Sequence, residues 1–201
     1  MFAIIQAAGW PIWPLLLASV ISVALIIERL VALRRAKVVP PGLLQRAVGE
    51  FKRGADNSRM LEELDRHSPL GRVLAAGLRN VGNSREVMKE SIQEAGSAVT
   101  HELSRYLTTL GTIASISPLM GLFGTVVGMI EIFGSQAPGT GNPQQLAQGI
   151  SIALYNTGFG ILIAIPSVIF WRHFRALVDG FVVEMEQQAV RLVEFMHGDR
   201  K

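Results

Sequence analysis

The chain has 201 residues, 49% of them apolar and 17% charged, with a mean hydropathy of +0.35, which is too apolar for an ordinary soluble domain of this size and predicts membrane spans. Its formal charge of +3 and sequence pI of about 9.7 would suit nucleic acid, but the basic residues gather beside apolar runs with no aromatic residues interleaved, so a membrane-flanking role is read instead. The absence of cysteine excludes disulfides, thiolate metal sites and a cysteine nucleophile.

No charged residue precedes Glu28. The apolar core from Ile12 to Ile27, with its flanks, reaches the roughly 20 residues that cross hydrocarbon. Trp10, Pro11, Trp13 and Pro14 mark one interface, and "ERLVALRRAK" marks the other. Glu28 and Arg29 are thus membrane-flanking charges, and the positive-inside rule places this basic side in the cytoplasm and the amino terminus outside. The opening stretch has neither a basic n-region nor a small-residue cleavage site. Residues 1–33 are therefore expected as an outward amino terminus and a retained first transmembrane helix.

Residues 34–105 differ in character. Charges run throughout and leucines recur at helical spacing, which predicts a cytoplasmic domain of two or three short amphipathic helices, broken at residues 54–57 and 68–69. "NSRE" at 83–86 resembles a capping box, with Asn83 as the cap and Glu86 three residues later. From there to Phe133 the only strong breaker is Pro118. One helix of roughly 50 residues, about 75 Å long, is expected, its second half, residues 106–133, being the second transmembrane helix.

Residues 134–149, "GSQAPGTGNPQQLAQG", suit an outward-facing loop; without G-K-[ST] they are no phosphate cradle. Residues 150–171 are uncharged and long enough for a third transmembrane helix, closed by Arg172 as a further membrane-flanking charge. The tail, residues 172–201, is expected as a cytoplasmic amphipathic helix with Val182, Met185, Val190, Val193 and Met196 near one stripe. The fold class is thus an all-α membrane protein of three transmembrane helices, with long helices extending into a cytoplasmic helical domain.

Steps of three and four along the second span place Gly111, Ala114, Pro118, Gly121, Thr125 and Gly128 on one stripe, with Gly124 nearby. The third span repeats the pattern with Gly149, Ala153, Asn156, Gly160, Ala164 and Ser167, with Thr157 beside that seam and Pro166 at its end. Small residues at this spacing let helix backbones approach closely. The two spans packing on each other within one monomer accounts for the glycines as well as a subunit contact does. The hydroxyls and amide of Thr125, Thr157 and Asn156 point further, because polar groups at membrane depth face a protein interior or a watery path. None of the three spans holds an Asp, Glu, His, Lys or Arg well inside its apolar region, so a carboxylate for ion transfer would come from another subunit.

"SPLMGLFGTVVGMIEIF", the Gly/Pro loop and "ISIALYNTGFGILIAIPSVIF" together resemble the ExbB/TolQ/MotA family of proton-channel subunits, most strongly over residues 105–175. The resemblance implies an oligomeric ring, commonly of five copies, in the bacterial inner membrane. The ring would enclose the spans of an ExbD- or TolR-like partner that carries a membrane aspartate, with a TonB- or TolA-like protein further along. It implies an ion pathway past Thr125 and Thr157, and conversion of the proton-motive force into work on outer-membrane transport or envelope maintenance. The glutamate usual in ExbB and TolQ proteins five residues before the third-span threonine is replaced here by Ile152. Three expected spans, against four in MotA-type proteins, favour an ExbB/TolQ-like member.

His67, His101, His173 and His197 stand apart, without metal-ligand spacing, and no G-x-S-x-G signature accompanies the serines. No enzyme activity, cofactor or metal is expected. The rival readings are a non-conducting oligomeric membrane scaffold and a small transporter subunit.

Overall fold

The computed structural model describes residues 9–54, 57–135 and 143–198. Among the described residues there are eight helices and no strand: α1 (Ile12–Ala32), α2 (Arg35–Val38), α3 (Leu43–Lys52), α4 (Asn57–His67), α5 (Pro69–Arg79), α6 (Arg85–Leu103), α7 (Leu107–Ser135) and α8 (Pro143–His197). Three stretches, within Ile12–Ala32, Arg85–Gly134 and Leu146–His197, are long and apolar enough to cross a membrane. The chain divides into two compact units. Met1–Glu28 with Tyr106–His173 forms an apolar unit, and Arg29–Arg105 with Phe174–Lys201 forms a polar one.

The apolar unit contains α7 and the first parts of α1 and α8. Two prolines lie inside its helices, Pro118 in α7 and Pro166 in α8. Each lacks an N–H and so frees the carbonyl four residues before it. Hydroxyls bond backbone carbonyls close by: Ser117 Oγ donates to Ile113 O at 2.7 Å, and Ser167 Oγ donates to Ile163 O at 2.7 Å. These carbonyls neighbour the freed ones, those of Ala114 and Leu162, and are not the same groups. Ser22 of α1 and Ser167 of α8 also meet, both buried, at 2.7 Å.

Where two or three short helices were expected, the polar unit shows three, α3 to α5, with α4 and α5 parted at Ser68; residues 55 and 56 of the other expected break lie outside the described residues. Ser68 caps α5 by accepting from Gly71 N at 3.0 Å, and Pro69 occupies the first turn, where no N–H is needed. The Leu64 carbonyl fills the space a side chain at Gly71 would take, so α4 and α5 turn closely on each other. The core holds Leu70, Leu74, Leu78, Met88, Phe174 and Leu192. Arg72–Glu102 at 2.6 Å, Arg79–Asp65 at 3.1 Å and Arg35–Glu184 at 2.8 Å link helices across the surface, each worth about 0–1 kcal/mol.

Four sequence expectations change. Ser84, not Asn83, caps α6 by accepting from Val87 N at 3.3 Å, while the Asn83 side chain donates to Asn80 Oδ1 at 2.9 Å. The expected single helix from 83 to 133 is two helices, parted at residues 104–106 with Tyr106 at φ +65°. Pro118 does not break it. The third span and the tail are one helix, α8, which already begins at Pro143 within the expected loop; residues 136–142 of that loop and residues 1–8 lie outside the described residues. Val190 is 57% exposed, and the buried stripe of α8 in the polar unit is Phe174, Val178, Phe181, Met185, Ala189 and Leu192. Those residues repeat by fours and threes, and Val190 falls one step off that period.

Candidate ion-pathway seam

The two small-residue stripes face each other inside the apolar unit. A β-carbon on Gly160 would lie 2.5 Å from the Ser117 carbonyl oxygen and 3.1 Å from Gly121 Cα. One on Gly121 would lie 2.8 Å from Asn156 O, and one on Gly124 would lie 2.6 Å from Asn156 Cβ. Only glycine permits backbones this close. Gly128 is looser, its nearest neighbour being Ile152 Cγ2 at 3.5 Å, and Ile132 occupies the space beside Gly149. Later residues of α7 thus meet earlier residues of α8, which makes the seam antiparallel. Pro118 is half-buried next to this seam; Pro166 is exposed, on the wall of a cleft of about 260 Å³ that Leu15, Ser22 and Phe159 also line.

The polar residues of the stripes lie along the same seam. Asn156 is 0% exposed, and its Nδ2 donates to Ile152 O at 3.1 Å. Thr157, half-buried, donates from Oγ1 to Gly121 O across the seam at 3.4 Å. Thr125, also half-buried, donates to Leu122 O of its own helix at 2.6 Å. Because Thr125 lies one turn beyond Gly121 and Thr157 packs against Gly121, the two hydroxyls sit about one turn apart in depth. Both spend their hydrogen on a backbone carbonyl, which leaves oxygen lone pairs as acceptors. Such a seam can receive a hydrogen bond from water or a protonated carboxyl group, yet it holds no group that titrates. Residues 107–130 and 143–171 contain no Asp, Glu, His, Lys or Arg.

The flanking charges divide. Glu28 and Arg172 are exposed. Arg29 is 6% exposed and donates from Nη1 to Leu103 O at 3.2 Å, a role its place beside an apolar run did not reveal. Sequence reasoning also missed the Ser22–Ser167 pair, for which the only signal was a serine inside an apolar run, and the edge-on contact of Trp10 with Phe123, with ring centroids 6.1 Å apart. Among the described residues no group of three or more His, Asp or Glu side chains is placed to hold a metal ion.

Residues 65–187 match the MotA/TolQ/ExbB proton channel family. The chain belongs to that family. The matched stretch takes in the whole α7–α8 seam and stops short of α1. Among curated relatives, the biopolymer transport protein exbB1 of Vibrio cholerae is 34% identical over 171 residues, 81% of this chain and 74% of its own length. The putative biopolymer transport protein ExbB-like 3 of Synechocystis is 31% identical over 190 residues, 86% of this chain and 83% of its own. The Tol-Pal system protein TolQ of Pseudomonas aeruginosa is 31% identical over 182 residues, 81% and 75%. As an ExbB/TolQ-like member, the chain is a membrane subunit of a channel and energy-transducing family, which is not a family of enzymes.

Proposed function

We propose that the chain is an inner-membrane, stator-type proton-channel subunit. With an ExbD/TolR-like single-span partner it converts the proton-motive force into work for outer-membrane transport or envelope maintenance. Several copies, as a pentamer, surround the partner's spans; the amino terminus is periplasmic and the carboxyl terminus cytoplasmic, in keeping with the basic flanks of α1 and α8. The observation that carries this reading is the pair of seam threonines, both acceptors, in spans with no Asp, Glu, His, Lys or Arg well inside their apolar regions. The partner's aspartate supplies the missing carboxylate, taking up a proton and handing it on past Thr125 and Thr157. Each charge that crosses releases about 2.3 kcal/mol per 100 mV, so a few crossings drive a sizeable conformational step. The small-residue faces are occupied by each other within one chain, so subunit contacts in the oligomer use other surfaces of the spans.

The test replaces Thr125 and Thr157 by Val, singly and together, in complexes with the partner reconstituted into liposomes. Proton flux is expected to fall at least about tenfold, the effect of roughly 1.4 kcal/mol on a barrier, while native mass spectrometry shows unchanged subunit composition. Full flux in the double variant would overturn the reading. A wild-type flux that tracks sodium instead of protons would change the ion and keep the path.

A further inference from the structure

Most of the α7–α8 seam would fit in more than one alignment. Gly121 and Gly128 on one side, and Gly149, Ala153, Gly160 and Ala164 on the other, differ by no more than a methyl group. Close packing of such residues in lipid depends on their small size. A slide of one helical turn, about 5.4 Å, therefore exchanges one small residue for another at these positions. Two side chains break the equivalence. Ile132 of α7 occupies the space beside Gly149, and Asn156 of α8 occupies the space beside Gly124. A β-carbon on Gly124 would lie 2.6 Å from Asn156 Cβ and 2.7 Å from its Cγ, so a side chain at 124 and the asparagine exclude each other. Asn156 is 0% exposed, and its Nδ2 donates to Ile152 O at 3.1 Å, which holds the amide along its own helix.

The two side chains oppose slides in opposite directions. The helices run antiparallel, with Gly128 beside Ile152, Gly124 beside Asn156 and Gly149 beside Ile132. One turn one way sets Ile132 against Ile152 or Ala153, where no glycine receives it. One turn the other way takes Asn156 from Gly124 to Met120. We propose that Asn156 is a positioning residue, a key whose notch is Gly124. It bars the second slide and so keeps Thr157 one turn from Thr125. Without the key, that slide carries the two hydroxyls a further turn apart. The consequence for conduction rests on the path proposed above, whereas the alignment is read without any flux.

The chain has no cysteine, so engineered pairs report the alignment of the full chain in lipid bilayers. Gly128→Cys with Ile152→Cys bridges the observed alignment, in which a β-carbon on Gly128 lies 3.5 Å from Ile152 Cγ2. Gly128→Cys with Gln148→Cys bridges the slid one, because position 148 then stands where 152 stood. The yields of disulfide within one chain give the ratio of slid to observed alignment. Asn156→Ala should raise that ratio about fivefold or more, the scale on which contacting residues couple. Gly124→Ala should raise it too, by driving the asparagine out of its notch. Exchanging both, Gly124→Ala with Asn156→Gly, should return the ratio to within about twofold of the unsubstituted chain, since the new β-carbon takes the space the asparagine leaves. A general loss of stability does not produce that recovery, and the exchange carries the test if Asn156→Ala does not fold. Proton flux does not enter the readout, so failure of the path and failure of the key are separate results. An unchanged ratio in Asn156→Ala, or no recovery on exchange, would overturn the proposal.

Discussion

In the polar unit the most deeply buried side chains are large, among them Phe174, Leu70, Leu74, Met88 and Leu192, whereas along the α7–α8 seam of the apolar unit the buried positions are Gly121, Gly124, Ala153, Asn156, Gly160, Ala164 and Ser167. Many large apolar residues of the apolar unit lie outside instead: Leu17, Val20, Leu119, Leu154 and Leu162 are all exposed, while Ile12, Leu15 and Leu110 are buried. The solvent explains the inversion. In water, removing apolar area stabilises by about 25 cal/mol per Å², so a core gains by filling itself with leucine and phenylalanine. In lipid a leucine is as well solvated outside as in, and helices gain only from close backbone approach and from satisfied polar groups.

The largest effect expected from this comparison is in the polar unit. Phe174→Ala removes a ring that is fully buried and should cost about 3–5 kcal/mol, the range for truncating a buried aromatic residue. Denaturant unfolding of the purified protein, followed by a probe in residues 29–105, would measure it. A cost below about 1 kcal/mol would mean that this unit is not held by its apolar core.

Next comes the same substitution at two sites of similar exposure. Leu162 is 65% exposed in the apolar unit and Val190 is 57% exposed in the polar one. Lysine at position 162 faces hydrocarbon and should cost about 2.5–3.5 kcal/mol of insertion free energy, while Val190→Lys should stay within about 0.5 kcal/mol. Membrane-fraction yield and thermal unfolding compare the pair. Equal tolerance at both positions would place residue 162 in water and undo the reading of that surface.

How much of this was legible depends on which force acts. The three apolar runs, the breaks at residues 54–57 and 68–69 and the two small-residue stripes could be read from the chain, because hydropathy, turn residues and periodicity are local properties. Which partner each stripe meets was not local, and the pairing of Gly121 with Asn156 emerges only once α7 and α8 are set side by side. The break at Tyr106 was invisible for the opposite reason. Local propensity there favours a helix, and neither the left-handed Tyr106 nor the bond from Arg29 to Leu103 O, 74 positions away along the chain, leaves a local signal. The cap at Ser84 shows a third limit: Asn83 and Ser84 are both good caps, and the sequence does not choose between neighbours. The roles proposed for Thr125 and Thr157 rest on the resemblance of their surrounding motifs to the family's and not on any property of a lone threonine.

The smallest effect distinguishes the two units most directly, because it adds one methyl group instead of removing a ring. Gly160→Ala places a β-carbon 2.5 Å from the Ser117 carbonyl oxygen and 3.1 Å from Gly121 Cα. Both obstacles are backbone, so no side chain can swing aside and the helices must separate. Overpacking of this kind costs about 1–3 kcal/mol, and it should also loosen the Thr157 hydroxyl from Gly121 O. Gly158 is the control: it lies on the same helix two residues earlier, and a β-carbon there meets nothing within 4 Å. Gly158→Ala should therefore be neutral or stabilising by up to about 1 kcal/mol, the usual gain of alanine over glycine inside a helix. Thermal unfolding of both variants in the same lipid provides the comparison. If the two behave alike, the seam is not held by backbone approach, and the case for Thr125 and Thr157 sharing one path would lose the rigid frame on which it stands.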